Sequence, residues 1–434
     1  LSAAAWVVLE WGYPKVFVWS LGAAVGPDRW LRQAAELGGA YGLAALAVAV
    51  NALLAGGGRL PAAIAAAMAV SAFGYGQLRV AGLDAHADLA RLRVGVVQAG
   101  SGDEDDPRSL TDAAWRFYGA RSPVVARHAD LVVWPEGVLR TYLGDRSDAR
   151  DGIERLASRL RRPLVLGGLD HAAARERNAV FVFAPQLIAV RHKQGLVPFG
   201  EYVPGVAWLP WLRAWRTTGD FDAGAAPQPL AIAGTRAGLA VCVEAIRPGA
   251  FNAQVRDGAQ WLLNLTDDSW FASRHAAALH LELTRLRAVE TRRWLVRASH
   301  SGASAVFDPQ GDLVAALPFG LPGTLNRPVG LGEARTPYVR YGDWVVFLAA
   351  AALLASAGAA LRRRLQRSAA EHTEGAEAEG TADEQVSSLR PPLPRPLCLC
   401  GLCPPIRDLP ESTDGAATLL GLRNRTLTAS SLTA

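Results

Sequence analysis

The sequence predicts a membrane-anchored α/β protein, with one α/β domain set between apolar helices. Two observations carry this. Leu37 to Gly58, Leu60 to Leu78 and Trp344 to Leu361 contain no charged residue, and each run approaches the ~17–25 residues that cross a bilayer as a helix. Between them, short apolar runs alternate with helical stretches, and glycines and prolines cluster at the run ends. The Ala- and Gly-rich runs suit close helix packing in lipid.

The elements follow in order. Residues 1–83 read as a membrane region with helices at about 37–58 and 60–78. The chain opens on Leu1, and its first 25 residues resemble the end of one membrane helix and a loop rather than a signal peptide. Residues 84–340 read as the α/β domain. Its strand candidates are Leu92–Gln98, Leu131–Trp134, Leu164–Gly168, Val180–Phe183, Leu187–His192, Leu239–Val243, Trp261–Leu265, Trp294–Ala298 and Ala303–Phe307. They are near-continuous apolar runs, as strands buried on both faces require. His275–Arg293 reads as a helix, with Leu279, Leu283, Leu286 and Val289 at helical spacing on a core face. Residues 341–364 read as a last membrane helix. Arg362, Arg363, Arg364 and Arg367 then mark a cytoplasmic end by the positive-inside rule. From 365 to 434 the chain reads as a disordered cytoplasmic tail, acidic over Glu371–Glu384 and then Pro-rich. Cys398, Cys400 and Cys403 in that tail lack the further ligands a zinc site needs. The net charge of +5 is spread among acids, which gives no support to nucleic-acid binding.

Chemistry concentrates at three run ends. Trp134-Pro135-Glu136 supplies a carboxylate, His192-Lys193 an ammonium, and Val241-Cys242-Val243-Glu244 a thiol followed by a second carboxylate. A thiol attacks acyl carbonyls once a base takes its proton. A fixed ammonium then stabilises the oxyanion that forms. Glu136, Lys193 and Cys242 are the three groups that acyl transfer through a thioester needs. The pattern calls for no metal and no organic cofactor.

At these residues the chain resembles the carbon–nitrogen hydrolase (nitrilase) superfamily, whose catalytic set is Glu-Lys-Cys, and within it the apolipoprotein N-acyltransferases. Lys193 to Pro204, reading KQGLVPFGEYVP, is the most specific segment. Thr266-Asp267-Asp268-Ser269-Trp270-Phe271, Arg285 to Thr291 and Asp308-Pro309-Gln310-Gly311 extend the likeness over roughly residues 14–361. It departs from the family at Val243, where tyrosine is usual, at Gly137-Val138-Leu139-Arg140, and at Arg274-His275.

The resemblance implies a nitrilase-like αββα sandwich inserted between transmembrane helices. It implies Glu136 as base, Cys242 as nucleophile, and Lys193 with the Val243 amide as oxyanion donors. Glu201 and Glu244 would support them, and Phe199, Tyr202, Val243 and Trp270 would contact substrate. The implied reaction moves a fatty acyl chain from a glycerophospholipid to the α-amino group of a diacylglyceryl-cysteine on an apolipoprotein. The implied setting is the bacterial inner membrane, with the catalytic domain on the periplasmic side. A membrane-tethered amidase using the same triad is the alternative. Phe199, Trp208, Trp211 and Trp215 suggest an amphipathic arm at the membrane interface.

Overall fold

A computed structural model describes residues 1–15, 17–84, 91–100, 107–145, 147–172, 175–206, 208–215, 220–271 and 273–383. The tail cysteines lie outside the described residues. Two compact units divide the chain, Leu1–Arg364 and Leu365–Ala434.

In the first unit, two sheets carry the α/β region. One contains β1 (Arg91–Gln98), β2 (Leu131–Val133), β3 (Leu139–Tyr142), β4 (Leu164–Ala172), β5 (Arg175–Phe183), β6 (Leu187–His192) and, at its far edge, a strand over Gly323–Gly330. The other contains β7 (Leu230–Ile232), β8 (Thr235–Val241), β9 (Trp261–Thr266), β10 (Leu295–Ser299), β11 (Ala305–Phe307) and β12 (Leu313–Ala316). With the Gly323–Gly330 strand named β13, the orders are β13-β1-β2-β4-β5-β6, with β3 on β4, and β12-β11-β10-β9-β8-β7. β1, β2 and β4 run parallel, as do β8, β9 and β10, and β3 is also parallel to β4; the other pairings are antiparallel.

The strands are apolar on both faces because both faces are covered. Val94, Val96, Val133 and Val165 of the first sheet meet Leu239, Val241, Leu263 and Val296 of the second in one core. On the outer face of the first sheet, Val97, Val132 and Phe181 pack under Tyr118 and Ile153. Those two come from α4 (Pro107–Ala126) and α5 (Asp148–Leu160), after the N-terminal helices α1 (Ser2–Gly12), α2 (Ala35–Ala55) and α3 (Arg59–Asp84). On the outer face of the second sheet, Ala240, Leu262 and Leu295 pack under α6 (Asn252–Arg256), α7 (Arg274–Thr291) and α8 (Pro337–Tyr341). The result is the expected αββα sandwich.

Four strands are not expected from the sequence: β3, β7, β12 and β13. Three of them span only three or four residues, and β13 carries Pro328 and Arg327 at an edge. The α7 stripe needs a correction. Leu283, Leu286 and Val289 are buried, but Leu279 is 51% exposed, two turns before Leu286 and Val289 pack on α2. The final helix, α9, is assigned over Trp344–Asp383, so residues 365–383 are helical where the composition predicts a disordered tail. Alanine, glutamate and arginine there are good helix formers, and extending a helix costs less than nucleating one.

Among the described residues, three helices are long and apolar enough to cross a membrane: Leu31–Ala55, Arg59–Gly82 and Trp344–Ala369. α2 is anchored to the domain. Ala35, Ala40 and Leu43 pack on Leu286 and Val289 of α7. Arg292, just past α7, donates to Glu36 Oε2 (2.6 Å), which also binds Arg79 of α3.

Candidate active site

Glu136, Lys193 and Cys242 each follow the carboxyl end of a strand: β2, β6 and β8. The first two come from one sheet and the third from the other, so the site sits at the ends of the facing sheets.

The carboxylate side is a buried ion cluster. Lys193 Nζ donates to Glu201 Oε1 (2.8 Å) and Glu136 Oε1 (3.3 Å). Asn178 Nδ2 bridges the same two carboxylates at 2.7 Å to Glu136 and 3.3 Å to Glu201. The Asp267 amide donates to Glu136 Oε2 (3.0 Å). Glu201 Oε2 accepts from the Val197 amide (2.8 Å), which closes the loop after Lys193. Gly167 of β4 makes room for this arrangement: a Cβ there would lie 2.5 Å from the Glu136 Cα.

The thiol side is built from backbone geometry. β8 stops at Val241, two residues before the expected end, and Cys242 begins a 3-10 turn through Ile246. Cys242 adopts φ +51°, a left-handed conformation that costs a non-glycine residue of order 1 kcal/mol and persists only where its surroundings impose it. They do so here. Glu244 accepts from the amides of Val241 (2.6 Å), Gln194 (2.7 Å) and Gly195 (2.9 Å) and from Arg191 Nη1 (3.1 Å). One carboxylate thus joins the thiol's turn to the lysine's loop. Behind the turn, Asn264 Nδ2 donates to the Cys242 carbonyl (3.3 Å), and Asn264 Oδ1 accepts from Arg297 (3.0 Å). Arg297 forks onto Asp268 (2.8 and 2.7 Å), which also binds His280 Nδ1 (2.9 Å).

The electrostatics separate these groups. Burial pushes Glu136 above its ordinary value; Lys193 opposes that, while Glu201 and Asp267 add to it. Burial acts against the Lys193 ammonium, but Glu136, Cys242 and Glu201 together outweigh it and hold the lysine charged. The Cys242 thiol is pushed up by burial and by Glu136, so it rests protonated. Burial alone would raise Glu244 and Asp268. Arg191 with three amides outweighs it at Glu244, Arg297 with His280 outweighs it at Asp268, and both stay ionised.

The structure therefore gathers Glu136, Lys193, Cys242, Glu201 and Glu244 into one site. Val243 is half-buried in the turn. Phe199 (φ +63°) and Tyr202 lie in the loop after Lys193, while Trp270 is 63% exposed. Trp208 and Trp211 are also exposed, whereas the Trp215 side chain lies outside the described residues. Asn178, Asn264, Arg297 and His280 join the site only in three dimensions. Asn178 sits in the polar start of β5 with no distinguishing signal, and the others are strand or helix residues whose role depends on spatial placement. Among the described residues, no group of three His, Cys, Asp or Glu side chains is placed to hold a metal ion.

The carbon–nitrogen hydrolase family matches residues 93–336, the segment that holds every group above. The chain is 32% identical over 384 residues to the apolipoprotein N-acyltransferase of Geobacter metallireducens, covering 83% of this chain and 73% of that one. It belongs to the apolipoprotein N-acyltransferase family of carbon–nitrogen hydrolases. The enzyme of the same name from Gloeobacter violaceus is also 32% identical, over 81% of this chain and 70% of its own. A solved carbon–nitrogen hydrolase from Helicobacter pylori is 16% identical with a TM-score of 0.45, covering 58% of this chain and 92% of that one. As a family member the chain is an acyltransferase.

Proposed function

We propose that this acyltransferase moves a fatty acyl chain from a glycerophospholipid onto Cys242 and then to the α-amino group of an N-terminal diacylglyceryl-cysteine. The observation that carries the reading is a buried thiol on a constrained turn facing a Glu136–Lys193–Glu201 cluster, in a unit that includes apolar, membrane-length helices.

In the first step the Glu136 carboxylate takes the thiol proton as Sγ attacks the ester carbonyl carbon. Lys193 and the Val243 amide stabilise the oxyanion. The C–O bond breaks, the departing lysophospholipid oxygen takes the proton from Glu136, and a thioester remains. In the second step the amine attacks the thioester, Glu136 takes the amine proton, and the C–S bond breaks. The proton returns to sulfur and an amide is released. Both substrates are lipids, which explains why the catalytic domain, residues 84–340, is tied to membrane helices. The basic run Arg362–Arg364 with Arg367 supports a cytoplasmic setting for that end of α9, with the domain on the opposite side of a bacterial inner membrane.

The test is intact mass of the full chain after incubation with phospholipid vesicles, before and after neutral hydroxylamine. A fatty-acyl adduct that maps to Cys242, is released by hydroxylamine and is absent from Cys242→Ala is expected. No adduct on folded protein with a titratable Cys242 thiol would overturn the reading.

A further inference from the structure

α2 contains a break, and the break is chemically connected to the nucleophile turn. Gly39 lies at φ 66°, ψ −166° inside an otherwise helical segment. A Cβ at Gly39 would sit 2.3 Å from the Tyr338 ring of α8, so the ring occupies the space the break opens. Past the break the helix restarts at Ala40. The first amides of a helix have no intrahelical acceptor, and a carboxylate there is favoured by the helix dipole. Glu290 of α7 supplies that carboxylate: its Oε1 accepts from the Ala40 amide (3.1 Å).

The same carboxylate reaches the other way. Glu290 Oε1 also accepts from Arg287 Nη2 (2.9 Å), and Glu290 Oε2 from the Gly249 amide (3.4 Å). Arg287 Nη1 donates to the carbonyl of Ile246 (3.2 Å), the last residue of the turn that begins at Cys242. Both side chains are at most 2% exposed. Arg287 Nε is buried without a partner, so the guanidinium is held by Nη1 and Nη2 alone. A surface ion pair contributes little, whereas cutting a buried one leaves a charge unpaired in a low-dielectric interior. The catalytic steps above use neither residue.

We infer that Arg287 and Glu290 are positioning residues that couple the break in membrane helix α2 to the placement of the Cys242 turn. The inference rests on Cys242 being the nucleophile. The pair touches the turn and the membrane helix, so losing it displaces Sγ without removing a lipid contact. Small displacements of a reacting group can cost roughly 10- to 100-fold in rate.

The experiment uses the full chain in phospholipid vesicles with a diacylglyceryl-cysteine peptide as acceptor. Glu290→Ala and Gly39→Ala are each expected to lower kcat roughly 10- to 100-fold with KM unchanged. They are also expected to slow alkylation of Cys242 by iodoacetamide, read on the Cys242 peptide by mass. The double variant should lose no more than the more damaging single, because both cut one connection. If Gly39→Ala does not fold, Tyr338→Leu, which removes the ring from the break, takes its place in the cycle. Losses that multiply, or single variants that lower only thermal stability while kcat and alkylation hold, overturn the inference. A wild-type chain that alkylates at Cys242 yet never forms a thioester would sink the proposed function and leave this coupling standing.

Discussion

Glu136 and Glu244 are both buried glutamates in the active site, one on each side of it, and their environments drive them apart. Glu136 shares one lysine with a competing carboxylate, Glu201, and receives only one backbone amide; its affinity for a proton rises. Glu244 receives three backbone amides and an arginine of its own; its affinity for a proton falls. Paired titratable groups whose surroundings separate them have divided the work between them. The under-satisfied carboxylate is suited to move protons, and the saturated one to hold a turn. The contrast assigns roles that residue type alone leaves equal.

Two substitutions test that division, and they should fail in opposite ways. Glu136→Gln has the larger effect on rate. It removes the base while Lys193 keeps Glu201, so kcat/KM is expected to fall roughly 10²- to 10⁴-fold. Thermal stability should fall less than in Glu244→Gln, since buried Lys193 keeps Glu201 as its counter-charge. Differential scanning calorimetry beside acyl-transfer kinetics reads both; a Glu136→Gln enzyme that keeps its rate would dissolve the contrast. Glu244→Gln comes next. It leaves buried Arg191 without a counter-charge and turns an amide NH₂ toward backbone donors, so stability should drop by about 1–3 kcal/mol. Activity should fall less than in Glu136→Gln, as the base is intact. A Glu244 variant with full stability and no activity would make Glu244 a reacting group instead.

Most of the fold is legible in the sequence because burial alone demands long apolar strands and uncharged membrane helices. The proposed triad is legible because Glu136, Lys193 and Cys242 each follow the end of a strand and together make one chemical set. What holds those groups is not. The Cys242 turn is fixed by Glu244, Asn264 and, through it, Arg297, residues 2, 22 and 55 positions on in sequence. No local periodicity encodes such contacts. Hydropathy carries the strand past Val241 because Cys242 and Val243 are apolar enough to continue it; backbone hydrogen bonds to Glu244 end it sooner. The break at Gly39 is hidden for a similar reason, since a single glycine in an Ala-rich run carries no signal until Tyr338 is placed against it.

The smallest effect is on pH, and it asks whether the two carboxylates act independently. The folded value of Glu136 lies above its unfolded value of ~4.3. Its protonation favours the fold at acid pH, and that contribution is lost as pH rises through the folded value; the ionised base exists only above it. Glu290, pushed up to about 7 by burial, has the same sign. Glu244 and Asp268 have folded values below their unfolded ones. Their contribution is present above the ordinary carboxylate range and is lost only as pH falls through the lowered values. As pH decreases, Glu136 and Glu290 are therefore protonated before Glu244 and Asp268, which still hold the turn. We expect a window, bounded above by the raised value of Glu136 and below by the lowered value of Glu244, in which the protein is folded but acylates slowly. Thioester formation by mass and near-ultraviolet circular dichroism, followed on one pH series, will separate the two transitions. If they coincide, activity is limited by the fold and Glu136 is not the titrating base.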